Sequence, residues 1–160
     1  MTDRPVDPLA VDPDAEASSR PLHLQPAALA LVALGGVIGT YARYTIETGL
    51  PHAPGTWPWA TFLINLSGAF VLGLLLEGLT RLGPDDGWRR RARLCLGTGM
   101  CGAFTTYSTF ALEGSELIRD GHAGVGLAYF VTSVLAGVIC AWLGIVVASV
   151  RRSGSGAVAE

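Results

Sequence analysis

The chain has 160 residues, half of them hydrophobic and only 15% charged, which is too apolar for an ordinary soluble domain and typical of a polytopic membrane protein. Its net charge of −2 says less than where the charges fall. All eleven basic residues are Arg, a bias attributable to genome composition, and no nucleic-acid partner is expected.

Residues 1–26 carry five of the nine prolines, five acidic groups, few large apolar side chains and no aromatic ring of Phe, Trp or Tyr. This composition predicts a disordered N-terminal tail. It does not fit a secretory signal, because the start is acidic and no apolar core follows at once. Four long apolar segments come next, at about 27–48, 59–79, 94–118 and 123–149. Each approaches or exceeds the ~20 residues that cross a bilayer as a helix. Pro51, Pro54 and Pro58 break the chain after the first, and Gly83-Pro84 after the second. Trp57, Trp59 and Trp88 fall at segment ends, where an interfacial aromatic belt is expected. The fold class predicted is all-α: a four-helix membrane unit over 27–150, followed by a short tail at 151–160. There is no room for a soluble catalytic domain.

Gly35 and Gly39 in the first segment form a Gly-x-x-x-Gly face that lets helix backbones approach. Ordinary helix packing accounts for it. Arg43, near the end of that segment, suits snorkelling to the interface or attraction of an anion. Cys95, Cys101 and Cys140 all lie within spans, show no metal-ligand spacing with a His, and read as small buried side chains.

Residues 97–110 are the least lipid-like part of any span. Three Gly, five Ser or Thr hydroxyls and three aromatics crowd into one helix length. Glycine costs about 1 kcal/mol against alanine in a helix interior. Irregular backbone at membrane depth survives only where it is buried in protein or lines a cavity. A broken third helix is therefore expected, with Gly102 and Thr105 flanking the break. Freed carbonyls at such a break make an ion site, and oxygen ligands favour a hard cation such as Na⁺.

Polar side chains inside lipid are costly unless paired. Thr61 and Asn65, four apart, share a face of the second span, and Asn65 is the only carboxamide in any span. Its NH₂ group suits an anion or an interhelical packing bond. Tyr107 and Phe110 share a face in the third span and offer positive ring edges, unless they simply fill the core. Glu113 continues that face, with Ser108 and Thr109 beside it. In the fourth span Tyr129 and Ser133 lie four apart. His23, His52 and His122 fall in the tail or loops, and no catalytic cluster or phosphate loop is present, so no enzyme is expected. A small proton-coupled exporter should carry a membrane-centre carboxylate in its first span. Here the only one is Glu47, at the segment's end.

Together, Gly35-Gly36-Val37-Ile38-Gly39 with Arg43-Tyr44, Asn65-Leu66-Ser67-Gly68 with Gly73, and Gly102-Ala103-Phe104-Thr105-Thr106-Tyr107-Ser108-Thr109-Phe110 resemble the Fluc (CrcB-type) fluoride channels over roughly residues 30–148. The resemblance implies an antiparallel, dual-pore dimer that passively conducts fluoride out of the cytoplasm and relieves its toxicity. It implies a structural Na⁺ at the dimer centre, held by main-chain oxygens at the positions of Gly102 and Thr105. It places the pore asparagine on Asn65, the two phenyl positions on Tyr107 and Phe110, and a polar track on Ser108, Thr109, Glu113, Tyr129 and Ser133. Tyr107 departs from the family pattern by its hydroxyl.

The arginines are distributed unevenly. Arg20, Arg81, Arg89, Arg90, Arg91, Arg93, Arg151 and Arg152 fall on one side of the expected topology, with only Arg43 and Arg119 toward the other. The positive-inside rule then predicts a multi-pass protein of the cell membrane with both termini cytoplasmic. Copies inserted one way cannot form an antiparallel dimer. The expectation is a heterodimer with a paralogue of opposite bias, in which this chain conducts or serves as a non-conducting partner subunit.

Overall fold

The computed structural model describes residues 25–150. The expected tails at 1–24 and 151–160 lie outside the described residues. Every regular element among the described residues is helical. Helix α1 is Pro26–Gly49, opened by a proline whose missing N–H costs nothing in a first turn. Helix α2 is Trp59–Arg81 and helix α5 is Ala123–Val150. These three are long and apolar enough to cross a membrane.

The segment between α2 and α5 is not one helix. Helix α3, residues 87–104, runs as Gly87–Ala92, a π-helical stretch Arg93–Cys101, and a last turn Gly102–Phe104. Thr105 and Thr106 are extended, with ψ of 155° and 122°. Helix α4 then runs Tyr107–Arg119. The sequence placed the start of this segment at 94, seven residues late, because Arg89 to Arg91 read as loop charge. Gly102, expected to flank the break, sits in the last helical turn before it, with φ −65° and ψ −33°. The interruption falls at Thr105–Thr106, where a side chain from α2 captures the backbone.

Glycine sets how closely the helices approach. A Cβ on Gly35 would overlap the Cys95 carbonyl, and one on Gly39 the Met100 carbonyl, so α1 lies backbone to backbone on α3. Gly73 and Gly144 do the same for α2 and α5, against the carbonyls of Ala141 and Phe70. Helix α4 packs on α5, where Gly114 accommodates the Phe130 ring. Most large apolar side chains of α5 point outward, including Val131, Leu135, Val138 and Trp142. This outward-facing apolar surface is what lipid or another subunit would cover.

Candidate functional site

The site is assembled on the break. Asn65, on α2, receives the Thr106 N–H on Oδ1 at 2.9 Å and donates from Nδ2 to the Thr106 carbonyl at 3.0 Å. One amide thus satisfies both backbone groups of a residue that is only 6% exposed. In a continuous helix the Thr106 N–H would have bonded to the Gly102 carbonyl. That carbonyl loses its usual donor. Gly102 is exposed, and a Cβ there would meet nothing within 4 Å. Gly68, three residues after Asn65, lets the break come close, since a Cβ on it would overlap the Thr105 methyl.

The Thr106 side chain caps α4. Its Oγ1 accepts from the Thr109 N–H at 3.2 Å, lies 3.2 Å from Ser108 Oγ, and donates to Thr109 Oγ1 at 3.0 Å. A hydroxyl has one proton. With Thr106 donating to Thr109, Ser108 is the donor to Thr106. The Thr109 proton and the second N–H of Asn65 remain uncommitted among the described residues.

A second group lies along α4. Thr61 Oγ1 donates to Glu113 Oε1 at 2.9 Å, and the Tyr129 hydroxyl donates to Glu113 Oε2 at 3.1 Å. Thr61 and Tyr129 are both fully buried. The Phe110 ring connects this group to the break, with its centroid 5.2 Å from Tyr129, 5.1 Å from Phe130 and 6.2 Å from Tyr107. One turn beyond Tyr129, the Ser133 hydroxyl is buried without a hydrogen-bond partner among the described residues.

Asn65, Ser108 and Thr109 therefore come together at the break, and Thr61, Phe110, Glu113 and Tyr129 gather beside it. Tyr107 lies at the edge of the site, 81% exposed and touching it through the Phe110 ring. Gly102 lies in the last turn of α3, before the interruption, and Thr105 lies in the interruption itself. Sequence reasoning missed Thr106, the hub of the first group. Its position one residue before α4, with a hydroxyl, was the available signal. It also placed Trp57 in an interfacial belt. In the structure Trp57 packs edge-on against Tyr129 at 5.5 Å and Phe62 at 5.4 Å, while Trp59 and Trp88 are exposed.

Comparison with known proteins places the chain in a family. The family model described as "CrcB-like protein, Camphor Resistance (CrcB)" matches residues 30–145. A protein of Cutibacterium acnes named "Fluoride-specific ion channel FluC 1" is 47% identical over 130 residues, covering 81% of this chain and 90% of its own length. A "Fluoride-specific ion channel FluC 2" of Leifsonia xyli is 44% identical over 75% of this chain and 82% of its own. Another FluC 2, from Moorella thermoacetica, is 45% identical over 71% and 89%. The match covers most of each membrane-length helix among the described residues and the broken segment between α2 and α5, and the chain belongs to the CrcB-like family.

Proposed function

We propose that this protein is a fluoride-selective passive ion channel that lets cytoplasmic fluoride leave the cell. It is a transport protein and not an enzyme, in keeping with the naming of its relatives as fluoride-specific ion channels. The observation that carries the reading is the set of uncommitted donors beside aromatic rings at a helix break. Fluoride is small, strongly hydrated and a strong hydrogen-bond acceptor, so shedding its water requires replacement donors. The second Asn65 N–H, the Thr109 hydroxyl and the buried Ser133 hydroxyl supply them. Phe110 and Tyr107 add ring edges. Larger halides accept hydrogen bonds more weakly and fit a narrow path less well.

In this reading α3 and α4 together make a fourth crossing, interrupted at Thr105–Thr106. Two subunits pair antiparallel and form two pores. The Gly102 and Thr105 carbonyls fit a structural Na⁺ shared between the subunits. The Gly102 carbonyl has lost its helical donor to Asn65, and the open space around Gly102 is where a partner would approach. Such a cation would offset the cost of an anion in low dielectric. The path runs past Asn65, Ser108, Thr109, Tyr107 and Phe110 toward Thr61, Glu113, Tyr129 and Ser133. Both termini are cytoplasmic, and the physiological partner is a paralogue of opposite Arg bias.

The test is rescue of fluoride-sensitive cells that lack their own fluoride export. Expression of this chain, alone and with a paralogue encoded by the same genome, should restore growth in fluoride. Absence of rescue in both arms, with the protein present in the membrane, contradicts the assignment.

A further inference from the structure

At the end of the bundle where α1 and α3 begin, a cavity of about 250 Å³ opens between them. Arg90 and Arg91 line it, together with Ala28, Leu31 and Leu94. The four arginines of this stretch differ in how they are neutralised. Arg93 binds the Asp85 carboxylate through Nε at 3.0 Å and Nη2 at 2.6 Å. Arg89 pairs with Asp86. Arg90 spends its Nε on the backbone carbonyl of Asp85 at 3.0 Å, leaving its terminal nitrogens. Arg91 makes no hydrogen bond or ion pair among the described residues. Both acidic residues of the loop are thus occupied, and the two arginines without a carboxylate are the two that face the cavity.

The position of the cavity points to its ligand. It lies at the first turn of a membrane-length helix, the level at which lipid headgroups meet the hydrocarbon. Its walls are apolar on the side that continues toward the bilayer, through Leu31 and Leu94. Two guanidinium groups over an apolar groove match a phosphodiester with an acyl chain below it.

We propose that this cavity binds the phosphate headgroup of an anionic phospholipid, with Arg90 and Arg91 as its ligands. The site is separate from the fluoride path and does not depend on the channel assignment. The test uses the full chain in detergent, incubated with phosphatidylglycerol, phosphatidylcholine or inorganic phosphate, with bound ligand counted by native mass spectrometry. Phosphatidylglycerol should be retained in preference to phosphatidylcholine. Arg91→Ala should weaken that retention about fivefold, the weight of one basic side chain at an anionic surface. Arg119→Ala, which removes the same charge at the opposite end, should leave it unchanged. Equal retention of the two lipids, or equal loss in both variants, would overturn the proposal. So would inorganic phosphate displacing phosphatidylglycerol completely, which would identify a free-anion site. A full chain that gains lipid only when Asp12, Asp14 and Glu16 are neutralised would instead identify its own acidic N-terminal segment as the occupant, and would also overturn it.

Discussion

At the scale of single residues, Asn65 is a structural clamp as well as a donor. Asn65→Ala leaves both Thr106 backbone groups without partners in a buried position. The expected loss is about 2–6 kcal/mol of stability, from two orphaned groups at about 1–3 kcal/mol each, and fluoride flux should fall with it. Asn65→Asp keeps an acceptor for the Thr106 N–H but sets an oxygen against the Thr106 carbonyl, so it should not rescue either property. Thermal unfolding in detergent and fluoride efflux from vesicles measure the two effects, and an unchanged unfolding midpoint in Asn65→Ala would refute the clamp. Phe110 packs on both Tyr129 and Phe130, so Phe110→Ala should reduce flux sharply, whereas Tyr107→Phe removes only an exposed hydroxyl and should be mild. The site was legible in the sequence to the extent that a polar side chain in lipid must have a purpose. That logic found Asn65, Thr61, Glu113, Tyr129 and Ser133. It could not show that the donors of Thr61 and Tyr129 converge on Glu113, because that contact crosses three helices.

At the scale of elements, close helix approach rests on particular glycines. Gly39→Ala and Gly73→Ala each press a methyl into a facing carbonyl, and overpacking of this kind costs about 1–3 kcal/mol. Gly78→Ala meets nothing within 4 Å, so by helix propensity alone it should be neutral or stabilising by up to about 1 kcal/mol. Equal unfolding midpoints across the three variants would show that glycine spacing does not govern packing here. The loop before α3 adds a pH dependence. The hydrogen bond from Arg93 holds the Asp85 carboxyl below the ordinary carboxylate range; desolvation opposes it, and the charges of Arg93, Arg90 and Arg89 add to the lowering. A lowered carboxyl contributes stability above its unfolded pKa and loses it as pH falls through the folded value. Asp85→Asn should therefore flatten the acid limb of the stability profile without changing it at neutral pH by more than a surface ion pair allows. Hydropathy made α1, α2 and α5 readable to within two residues at each end. The break was readable as a region rich in Gly and Thr but not as a position. The deciding bonds come from Asn65, forty-one residues earlier in the chain.

At the scale of the whole molecule, the chain is a multi-pass membrane protein of the CrcB-like family, and its Arg distribution bears on assembly. A fixed orientation predicts that a C-terminal tag, in cells expressing this chain alone, is protected on the cytoplasmic face. Tags in similar amounts on both faces would restore a homodimer. The most direct measurement of the central claim is halide efflux from liposomes carrying the purified protein, alone and with its paralogue, with no proton gradient and no ATP. Fluoride should leave rapidly while chloride is retained, and Asn65→Ala should abolish the difference by stopping fluoride. Chloride efflux comparable to fluoride, or fluoride efflux that requires a proton gradient, would contradict a passive fluoride channel.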